Sequence, residues 1–545
     1  MRAVIIGSGP SGTAAATALV DNGWVVDMVD AGRPRPKICA ELSDTLLEEL
    51  RDRNRATLRT LTKLRFGDDL SAQSEQQRMQ RQIRRQLNPT RNRKRVLGSK
   101  FAFDSVDRLF PVDGGDPARA LAAGGLSNVW GSACYGLAET PKFWPPDSAP
   151  ESKHYQRAFE LLGVDQEEDG LAGAYPLYGH QATSGQRNTG SVIEVLLERW
   201  RTHSADLKES GISAGRSRLA VAFSGQNACV NCGLCYAGCP TDAIFHSDQR
   251  LSRLAATGRF RLLPSTFVIG FQDGGDGTLS LETTEMDGNP KPPMTGYGRV
   301  VLAAGALSSF RIAAQSLGRP NAEVGLLDND MIFVPFLAKT WGQRLSGRHR
   351  FALSEAALSV SLGPKSEDHL HAQFYALHPL FFGTAGDVLD SLPNWLGALP
   401  RAALSPFLIG LLYLPSHFSR QARLTANPGS SQSPWRLALT SEENPLASAK
   451  FSEAMVQMRR SSALALSPIP ALMRTTPLGF SGHFGGTLPM RKNPEALETD
   501  ANGRLGADRR VAVADASAFP TMPSQNPTLT VVANAIRVAS LLQRE

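Results

Sequence analysis

The first thirty residues constrain the fold more than any other part of the chain. Residues 4–6, Val-Ile-Ile, form a short apolar run that is typical of a buried parallel strand, and the glycine-rich turn 7–12 follows directly. Residues 13–20 favour a helix, Asn-Gly then provides a stop signal, and residues 24–29 return to strand composition before Asp30. The stretch therefore predicts a strand–helix–strand unit.

The turn of this unit has the spacing of a dinucleotide-binding site. Gly7 would permit the tight turn, Gly9 would let a pyrophosphate approach the backbone, and Gly12 would let the helix pack on the strand. The phosphates would lie at the helix N-terminus near Ser11, where free N–H groups and the positive end of the helix dipole point. Asp30 is placed to accept hydrogen bonds from a ribose. NAD and FAD both fit this pattern, and a glycine turn without a ligand is the alternative.

The length of the chain, 545 residues, is too great for one hydrophobic core, so we expect two or more domains. Its 42% hydrophobic and 20% charged residues are typical of an ordinary soluble globular protein. The first strand begins at Ala3, so we expect no signal peptide and a cytoplasmic location.

Positive charge is concentrated in one segment. Residues 51–100 hold 15 Lys or Arg against four acidic residues, although the whole chain carries only +7. We interpret 51–95 as a basic insertion or arm, which is either a solvated surface or a contact for an anionic membrane or a partner protein. Nucleic-acid binding is disfavoured, because few aromatic residues lie between the arginines.

A small-residue loop at 122–131 is a second candidate wall of the nucleotide site. Gly124 and Gly125 would let the backbone press against a flat ligand. Ser127 and Asn128 could donate or accept hydrogen bonds at the edge of that ligand. The alternative is a loop whose glycines serve packing alone.

Two later regions extend the predicted architecture. Residues 298–305 form another buried strand that ends in glycine, and 306–317 read as the helix after it, so we expect a further strand of the nucleotide-binding sheet. The region 325–475 has short strands and prolines, typical of a separate sheet. Its most apolar piece, 406–415, is too short to span a bilayer. It predicts a core or pocket-lining strand, or else an apolar rim for a lipid-like substrate together with aromatic residues of 381–396.

The C-terminal part carries the candidate catalytic groups. His483 lies in a Gly-His-Phe-Gly-Gly stretch, and the strand 510–515 follows. Asn526 is expected to cap the terminal helix, with Pro527 in its first turn.

Four of the six cysteines fall within eleven residues, with the Cys-x2-Cys-x2-Cys-x3-Cys-Pro spacing of a bacterial ferredoxin run. They are Cys229, Cys232, Cys235 and Cys239. A single run of this kind could hold a three-iron cluster on three thiolates, or a four-iron cluster completed by Cys239, Cys39 or Cys134. The alternatives are a metal-free loop and a zinc site, although zinc sites usually separate their cysteine pairs further.

Together these motifs resemble the glucose–methanol–choline (GMC) family of flavin oxidoreductases. They stand in the order of that family: the turn 7–12 with Asp30, the loop 124–127, the strand 301–305, the segment 513–517, and His483 followed by Asn526-Pro527. One departure is Asp30, where Glu is more usual, and either carboxylate can hold a ribose. Some proteins of this family carry an iron–sulfur cluster near such a cysteine group, and others keep a similar segment without metal.

The resemblance implies FAD and an α/β fold: a Rossmann-type FAD-binding domain assembled from discontinuous segments, and a substrate domain on a mainly antiparallel sheet. The FAD-binding domain would comprise 1–50, 96–164, 226–324 and 476–545, the substrate domain 165–225 and 325–475, and the basic arm 51–95. The implied cofactor-binding residues are Gly7, Gly9, Ser11, Gly12, Asp30, Gly124, Gly125, Ser127, Asn128, Val268, Ala304, Gly305, Asp515, Ala516, Asn526, Pro527 and Thr528.

The resemblance also implies a reaction, the oxidation of an alcohol to a carbonyl by hydride transfer to flavin N5. His483 would be the base, and Asn526 would hold the substrate oxygen. Electrons would pass to an external acceptor, a protein or a quinone, and the substrate would be a small, carbohydrate-like alcohol. Two alternatives stay open: an oxidase that uses O₂ on an apolar, sterol-like alcohol, and a non-catalytic flavin electron-transfer subunit. His369 and His371 are expected to share one face of a strand rather than to bind a metal.

Overall fold

The computed structural model describes most of the chain outside the basic arm. The described residues are 1–34, 109–115, 117–138, 141–180, 187, 191–231, 235, 239, 241–339, 351–363, 367–376, 406–426 and 436–542. The basic arm, Cys39, Cys232 and the aromatic residues of 381–396 lie outside these ranges. None of the helices in the described part is both long enough and apolar enough to cross a membrane.

The described residues form many short strands and fewer helices. The strands are β1 (Arg2–Ile6), β2 (Val25–Val29), β3 (Val112–Asp113), β4 (Ile212–Arg216), β5 (Phe260–Leu263), β6 (Phe267–Asp273), β7 (Leu279–Thr284), β8 (Pro290–Tyr297), β9 (Arg299–Leu302), β10 (Glu323–Asp328), β11 (Met331–Ala338), β12 (Ala356–Ser361), β13 (His369–Ala376), β14 (Phe407–Tyr413), β15 (Gln421–Ala426), β16 (Leu437–Glu442), β17 (Leu466–Pro468), β18 (Arg474–Thr475), β19 (Phe484–Gly485) and β20 (Val511–Val513). The helices are α1 (Pro10–Asp21), α2 (Ser152–Leu162), α3 (Ser191–Thr202), α4 (Ser204–Glu209), α5 (Asp248–Ala255), α6 (Ala306–Ser316), α7 (Pro445–Arg460) and α8 (Thr528–Leu541).

A parallel sheet in the order β20-β9-β1-β2-β5 forms the centre of the nucleotide-binding part. Its central strands are mostly apolar, because hydrophobic cores cover both faces, and Asp27 on β2 is a buried exception. The predicted strand at 298–305 is confirmed as β9, which pairs with β1. Parallel pairing brings the carboxyl ends of β1, β2, β9 and β20 to one edge, where a nucleotide is bound in such sheets.

A seven-stranded antiparallel sheet forms a second layer. Its order is β17-β11-β14-β13-β12-β4, and β18 pairs with β11 along the same edge as β17. One face carries Ile332, Leu412 and Phe374, which pack against α3 and α7 in a separate apolar core. The alternate residues of the same strands, including Phe333, Leu411 and Gln373, point to the opposite face. Two smaller sheets, β19-β10-β15-β16-β3 and β6-β7-β8, are also present among the described residues.

The start of α8 differs from the sequence prediction. The helix begins at Thr528 with Pro527 in the N-cap position, and no side chain caps it. Asn526 therefore does not act as the cap. Its amide instead forms hydrogen bonds with the side chains of Gln373 and His483. These bonds use the polar atoms that a helix cap would need.

Candidate active site and cofactor cleft

The glycine turn after β1 has the shape that a pyrophosphate requires. Gly7 has a φ of 103°, and a Cβ on it would lie 2.4 Å from the carbonyl oxygen of Ala303. A Cβ on Gly12 would lie 1.9 Å from the carbonyl oxygen of Gly7, so the helix packs directly on the turn. Gly9 differs, because a Cβ there would meet nothing within 4 Å. Protein atoms thus fill the space beside Gly7 and Gly12, whereas the space beside Gly9 is free.

Ser8 connects three of the predicted cofactor segments. Its backbone N–H and its hydroxyl both donate to the Asp30 carboxylate, at 2.7 and 2.6 Å, and the hydroxyl accepts from the Gly124 N–H at 2.8 Å. The other Asp30 oxygen accepts from the Gly32 N–H at 2.6 Å. Burial raises the pKa of the Asp30 carboxyl, and these donors act against that shift. Asp30 therefore fixes the geometry of the cleft, and its role towards a ribose stays a prediction.

The loop after Gly124 is held by its own side chains. The Ser127 hydroxyl donates to the Gly124 carbonyl at 2.6 Å, and the Asn128 Nδ2 donates to the carbonyls of Ala123 and Gly125. Gly125 lies across the cleft from Gly9, since a Cβ on it would be 3.6 Å from the Gly9 Cα. The Asn128 Oδ1 is buried and has no hydrogen-bond partner among the described residues.

The carboxyl ends of β9 and β20 meet through Asp515. One Asp515 oxygen accepts from the Gly305 N–H at 2.8 Å and from the Ser309 hydroxyl at 2.5 Å, and the other accepts from the Ser517 N–H at 2.9 Å. Burial raises the pKa of this carboxyl as well. Gly305 has a φ of 84°, and a Cβ there would meet nothing within 4 Å. Ala304 and Ala516 adjoin these two residues, so this edge presents backbone rather than bulky side chains.

Val268 and Thr528 belong to elements that adjoin these segments, and their contact with a cofactor stays a prediction. Val268 is buried in β6, two residues after Thr266, whose N–H donates to the Asp30 carbonyl at 2.9 Å. Thr528 is the first residue of α8, next to Asn526 and Pro527. Ser11 lies in the first turn of α1, behind Gly9.

The residues of the cleft suit an FAD. The open face of Gly9 and the N-terminus of α1 suit a pyrophosphate, and the unpartnered Asn128 Oδ1 is an acceptor for a polar ring edge. The small residues at 304–305 and 124–125 leave backbone where a flat ring would lie.

The structure brings His483 and Asn526 together. The Asn526 Nδ2 lies 3.0 Å from the His483 Nε2, although the two residues are 43 positions apart. His483 is 8% exposed, and the Tyr413 ring stacks on it with centroids 4.8 Å apart. His483 directly precedes β19 and Asn526 shortly precedes α8, so the contact joins two separate segments of the C-terminal region.

Gln373 on β13 is a member of this site that the sequence did not reveal. Its Nε2 donates to the Asn526 Oδ1, and the same nitrogen lies 3.2 Å from the His371 Nε2. The Tyr375 hydroxyl donates to the Gln373 Oε1 at 2.8 Å. The only sequence signal is the alternation of His371, Gln373 and Tyr375, which predicts one shared face of the strand.

His371 stands behind Gln373 in a dry environment. Its Nδ1 lies 2.8 Å from the Tyr175 hydroxyl, and burial lowers the pKa of the imidazole to about 3. The ring is therefore neutral at physiological pH. This agrees with the expectation that His369 and His371 belong to a strand face, since both lie on β13.

The segment that carries His483 is fixed by a buried carboxyl. Asp328 accepts from the Gly479 N–H and from the Ser481 hydroxyl, each at 2.7 Å. The Ser481 hydroxyl in turn accepts from the His483 N–H at 2.9 Å. Burial raises the pKa of Asp328 to about 6, and the two donors oppose that shift.

Three of the four predicted cluster cysteines gather in one apolar group. Cys229, Cys235 and Cys239 pack beside Tyr135. The Asn231 N–H donates to the Cys229 Sγ at 3.4 Å, and burial raises the pKa of Cys229 to about 11. No three His, Cys, Asp or Glu converge as metal ligands among the described residues, which leave out Cys232. Thiol sulfurs in an apolar environment, with an amide donor, suit an iron–sulfur cluster.

Cys134 faces away from this group. Its neighbours Ala133 and Tyr135 pack with the cysteine loop, whereas Cys134 packs in the core beneath the parallel sheet and is fully buried. Alternation along an extended segment explains the difference. The placement of Cys134 disfavours it as the last ligand of a four-iron cluster, and that alternative stays a prediction.

Comparisons with known proteins agree with this architecture. Residues 423–535 match the family model of GMC oxidoreductases, and residues 226–245 match that of the 4Fe-4S binding domain. A search of curated protein sequences finds no match. Among solved structures, pyridoxine 4-oxidase from Mesorbium loti is 14% identical with a TM-score of 0.54, and the match covers 100% of this chain and 99% of that one. The R554A variant of formate oxidase from Aspergillus oryzae RIB40, solved to study FAD modification, is 12% identical with a TM-score of 0.59, and 99% and 98% of the two chains are covered.

These matches decide several of the predictions. The α/β fold with an added antiparallel sheet is confirmed, because both solved structures match over nearly their whole length. FAD is the cofactor of GMC oxidoreductases, and the 4Fe-4S match coincides with the cysteine run, so both cofactor predictions are supported. The domain boundaries and the roles of individual site residues stay predictions. The resemblance read from the motifs is thus confirmed: the chain carries a GMC oxidoreductase region and the fold of two solved oxidases.

Proposed function

We propose that this protein oxidises an alcohol to a carbonyl compound with FAD, and that His483 takes the hydroxyl proton. The observation that carries the proposal is the contact between the His483 Nε2 and the Asn526 amide, beside a cleft that suits FAD. When bound, FAD supplies an acceptor for the hydride of the carbinol carbon. The carbinol C–H bond and the hydroxyl O–H bond both break, and the carbon–oxygen double bond forms.

The hydrogen bonds around Asn526 set the proton position on His483. Gln373 donates to the Asn526 Oδ1, so the Asn526 Nδ2 faces His483 as a donor. The His483 Nε2 must then be an acceptor, and the imidazole proton lies on Nδ1. Nε2 is therefore the unprotonated nitrogen, and a substrate hydroxyl that donates its proton to it would take the place of the Asn526 N–H at its single lone pair. The second N–H of Asn526 can donate to the substrate oxygen.

The Gln373 amide is itself oriented from both ends. Tyr375 donates to its oxygen, and its two N–H groups serve Asn526 and the neutral His371. An amide at this position is needed because it donates twice and accepts once. Gln373 is thus a positioning residue that acts on His483 through Asn526.

A carboxylate at position 373 should therefore disturb the base. Gln373→Glu removes both N–H donors, so Asn526 should turn its N–H groups towards the new carboxylate and present its oxygen to His483. The added negative charge also favours the protonated imidazole. We expect kcat to fall about 10²-fold, and the rising limb of kcat/KM against pH to move about one unit towards alkaline pH.

Gln373→Leu separates this effect from a loss of packing. It removes the hydrogen bonds without adding charge, so kcat should fall while the pH profile keeps its position. An unchanged profile in Gln373→Glu would contradict the positioning role.

The cysteine loop supports a dehydrogenase rather than an oxidase. When bound, an iron–sulfur cluster supplies a carrier of single electrons, which suits an acceptor other than O₂. The 4Fe-4S match and the apolar grouping of Cys229, Cys235 and Cys239 support this choice. Turnover without H₂O₂ is the expected result, and stoichiometric H₂O₂ would favour the oxidase instead.

Replacement of one loop cysteine should remove the iron and leave the flavin. Cys235 is 8% exposed within the loop, so Cys235→Ser should lower the iron content per protein to less than a third, with unchanged flavin content. Metal analysis and flavin absorbance measure the two quantities. Cys134→Ala is the matched control. Cys134 packs in a different core from the loop cysteines, so this variant should keep its iron. Wild-type protein that contains flavin but no iron would refute the cluster.

The reaction itself is tested by mixing the purified protein with alcohols in the absence of oxygen. Bleaching of the flavin absorbance by at least one alcohol is expected. A protein with bound flavin that no alcohol reduces would support the electron-transfer subunit instead.

A further inference from the structure

Three buried polar residues lie where β10 leads into β11. They are Asp328, Asn329 and Asp330, and each is at most 5% exposed. A buried polar group is stable only where it finds hydrogen-bond partners, so the partners of these residues show which segments they hold. Asp328 holds the segment before His483, and Asp330 forms an ion pair with Arg420 at 2.6 Å. Asn329, between them, has a different set of partners.

Asn329 forms hydrogen bonds with three segments of the candidate active site. Its backbone N–H donates to the His483 carbonyl at 3.2 Å. Its side-chain Nδ2 donates to the carbonyls of Leu414 at 2.6 Å and Pro523 at 3.1 Å. Leu414 directly follows β14, and Pro523 lies three residues before Asn526. Asn329 therefore binds the chain that carries each member of the catalytic pair.

The two N–H groups of the amide explain why an asparagine suits this position. Both neighbours are carbonyl oxygens, so only the amide nitrogen can face them, and its two N–H groups match the two acceptors. The Oδ1 is buried without a hydrogen-bond partner among the described residues, a cost that an apolar side chain would avoid. The favourable part of Asn329 is thus its pair of donors.

Other hydrogen bonds hold these segments in pairs. The Ser416 N–H donates to the Met522 carbonyl, and the Met522 N–H donates to the Ser416 hydroxyl, each at 2.9 Å. These two bonds tie the chain after β14 to the chain before α8. β10 pairs with β19, which directly follows His483. Asn329 connects the first pair of segments to the second, because its side chain binds one pair and its backbone binds the other.

We propose that Asn329 is a positioning residue that sets the separation of His483 and Asn526. It acts through the backbone that carries each of them. This inference rests on the proposed function, which makes His483 the base and Asn526 its partner. Fixed positions favour transfer of the hydroxyl proton, because a displacement of about 1 Å at a catalytic group can lower a rate about 10²-fold.

Removal of the two donors without a change of charge tests this role. Leucine has nearly the shape of asparagine, so Asn329→Leu leaves two carbonyls without these donors and adds no charge. The segment that leads to Asn526 should then shift, and the Asn526 Nδ2 should leave the His483 Nε2. We expect kcat to fall about 10²-fold. The rising limb of kcat/KM against pH should move about half a unit to one unit towards alkaline pH, because a donor at Nε2 favours the neutral imidazole.

The position of this limb reports geometry, since the variant alters no charge. The titratable and charged groups around His483 and Asn329 in the described part of the chain are the same in both proteins: Tyr413, His371, Asp328 and the ion pair of Asp330 with Arg420. A loss of stability alone would lower the melting temperature and leave the limb in place.

Two further variants accompany Asn329→Leu. Asn329→Ser keeps one donor, so kcat should fall less, about tenfold, with the limb displaced in the same direction. Asn534→Leu is the matched control, because Asn534 is a fully buried asparagine on α8 whose Oδ1 accepts from Arg537 on the same helix. It should lower the melting temperature, keep the wild-type limb and retain kcat to within about twofold.

A titration of the imidazole itself tests the role without turnover. In protein that contains isotope-labelled histidine, the NMR signal that is absent from His483→Ala belongs to His483. The midpoint of its titration should lie about half a unit to one unit higher in Asn329→Leu than in the wild type. Asn534→Leu should leave the midpoint unchanged. Asn329→Ser decides by the same measurements if Asn329→Leu does not fold.

The outcomes separate this inference from the proposed function. A limb and a midpoint at their wild-type positions in the Asn329 variants would overturn the positioning role, and so would an equal displacement in Asn534→Leu. A displaced midpoint in a protein whose bound flavin no alcohol reduces would keep the role of Asn329 in holding the pair and overturn alcohol oxidation.

Discussion

His483→Ala should lower the rate of flavin reduction by an alcohol about 10³-fold, with FAD still bound. The substitution removes the nitrogen that would accept the hydroxyl proton, and the Asn526 amide cannot replace it as a base. The contacts of the glycine turn lie on other segments and should be unaffected. Rapid mixing without oxygen measures the rate, and the absorbance ratio of flavin to protein measures the bound cofactor.

A second histidine provides the control for this variant. His369 lies on β13 outside the catalytic pair, so His369→Ala should retain the rate to within about twofold. Wild-type turnover in His483→Ala would remove the assignment of the base. Loss of the flavin in that variant would instead indicate a structural role for His483.

Gly9→Ala should weaken FAD binding roughly 10- to 100-fold in a protein that still folds. Gly9 has a φ of −64°, and an added Cβ would touch no protein atom within 4 Å, so the chain itself tolerates alanine. The methyl group would occupy the space into which a pyrophosphate must come. Overpacking of this size costs about 1–3 kcal/mol, which corresponds to an affinity roughly 10- to 100-fold lower. Flavin retained through gel filtration and the melting temperature of the apoprotein are the two measurements.

Alanine variants of two further glycines serve as controls for this result. Gly12→Ala should destabilise the fold itself, because its Cβ would lie 1.9 Å from the Gly7 carbonyl oxygen. Gly173→Ala should change neither quantity, since its Cβ also meets nothing within 4 Å and lies away from the turn. FAD affinity as in the wild type for Gly9→Ala would show that the dinucleotide does not lie against this turn.

Local patterns were sufficient where neighbouring residues determine the structure. The strand, turn and helix of residues 2–21 follow from an apolar run, spaced glycines and small helix-favouring residues, and the structure has the same elements. The proximity of His483 and Asn526 was predicted from the order of the family motifs, and the 3.0 Å contact agrees with it.

Long-range partners could not be predicted in the same way. Gln373 is 153 positions from Asn526, and its alternation with His371 shows only which residues share a face. The sequence also assigned Asn526 to the helix cap, a common role for this residue, because the competing partners on distant strands were not visible. The packing of Cys134 in a different core from the cysteine loop could not be predicted either, since spacing alone does not tell which way a side chain points.

The hydrogen bond between Gln373 and Asn526 joins two layers that are built from different parts of the chain. β13 belongs to the antiparallel sheet, whereas Asn526 leads into a helix on the parallel sheet. The basic nitrogen of His483 is thus defined only once both layers have docked in register. Folding of the chain and formation of its catalytic base are then a single step, and a chain in which the two layers have not docked would lack the base.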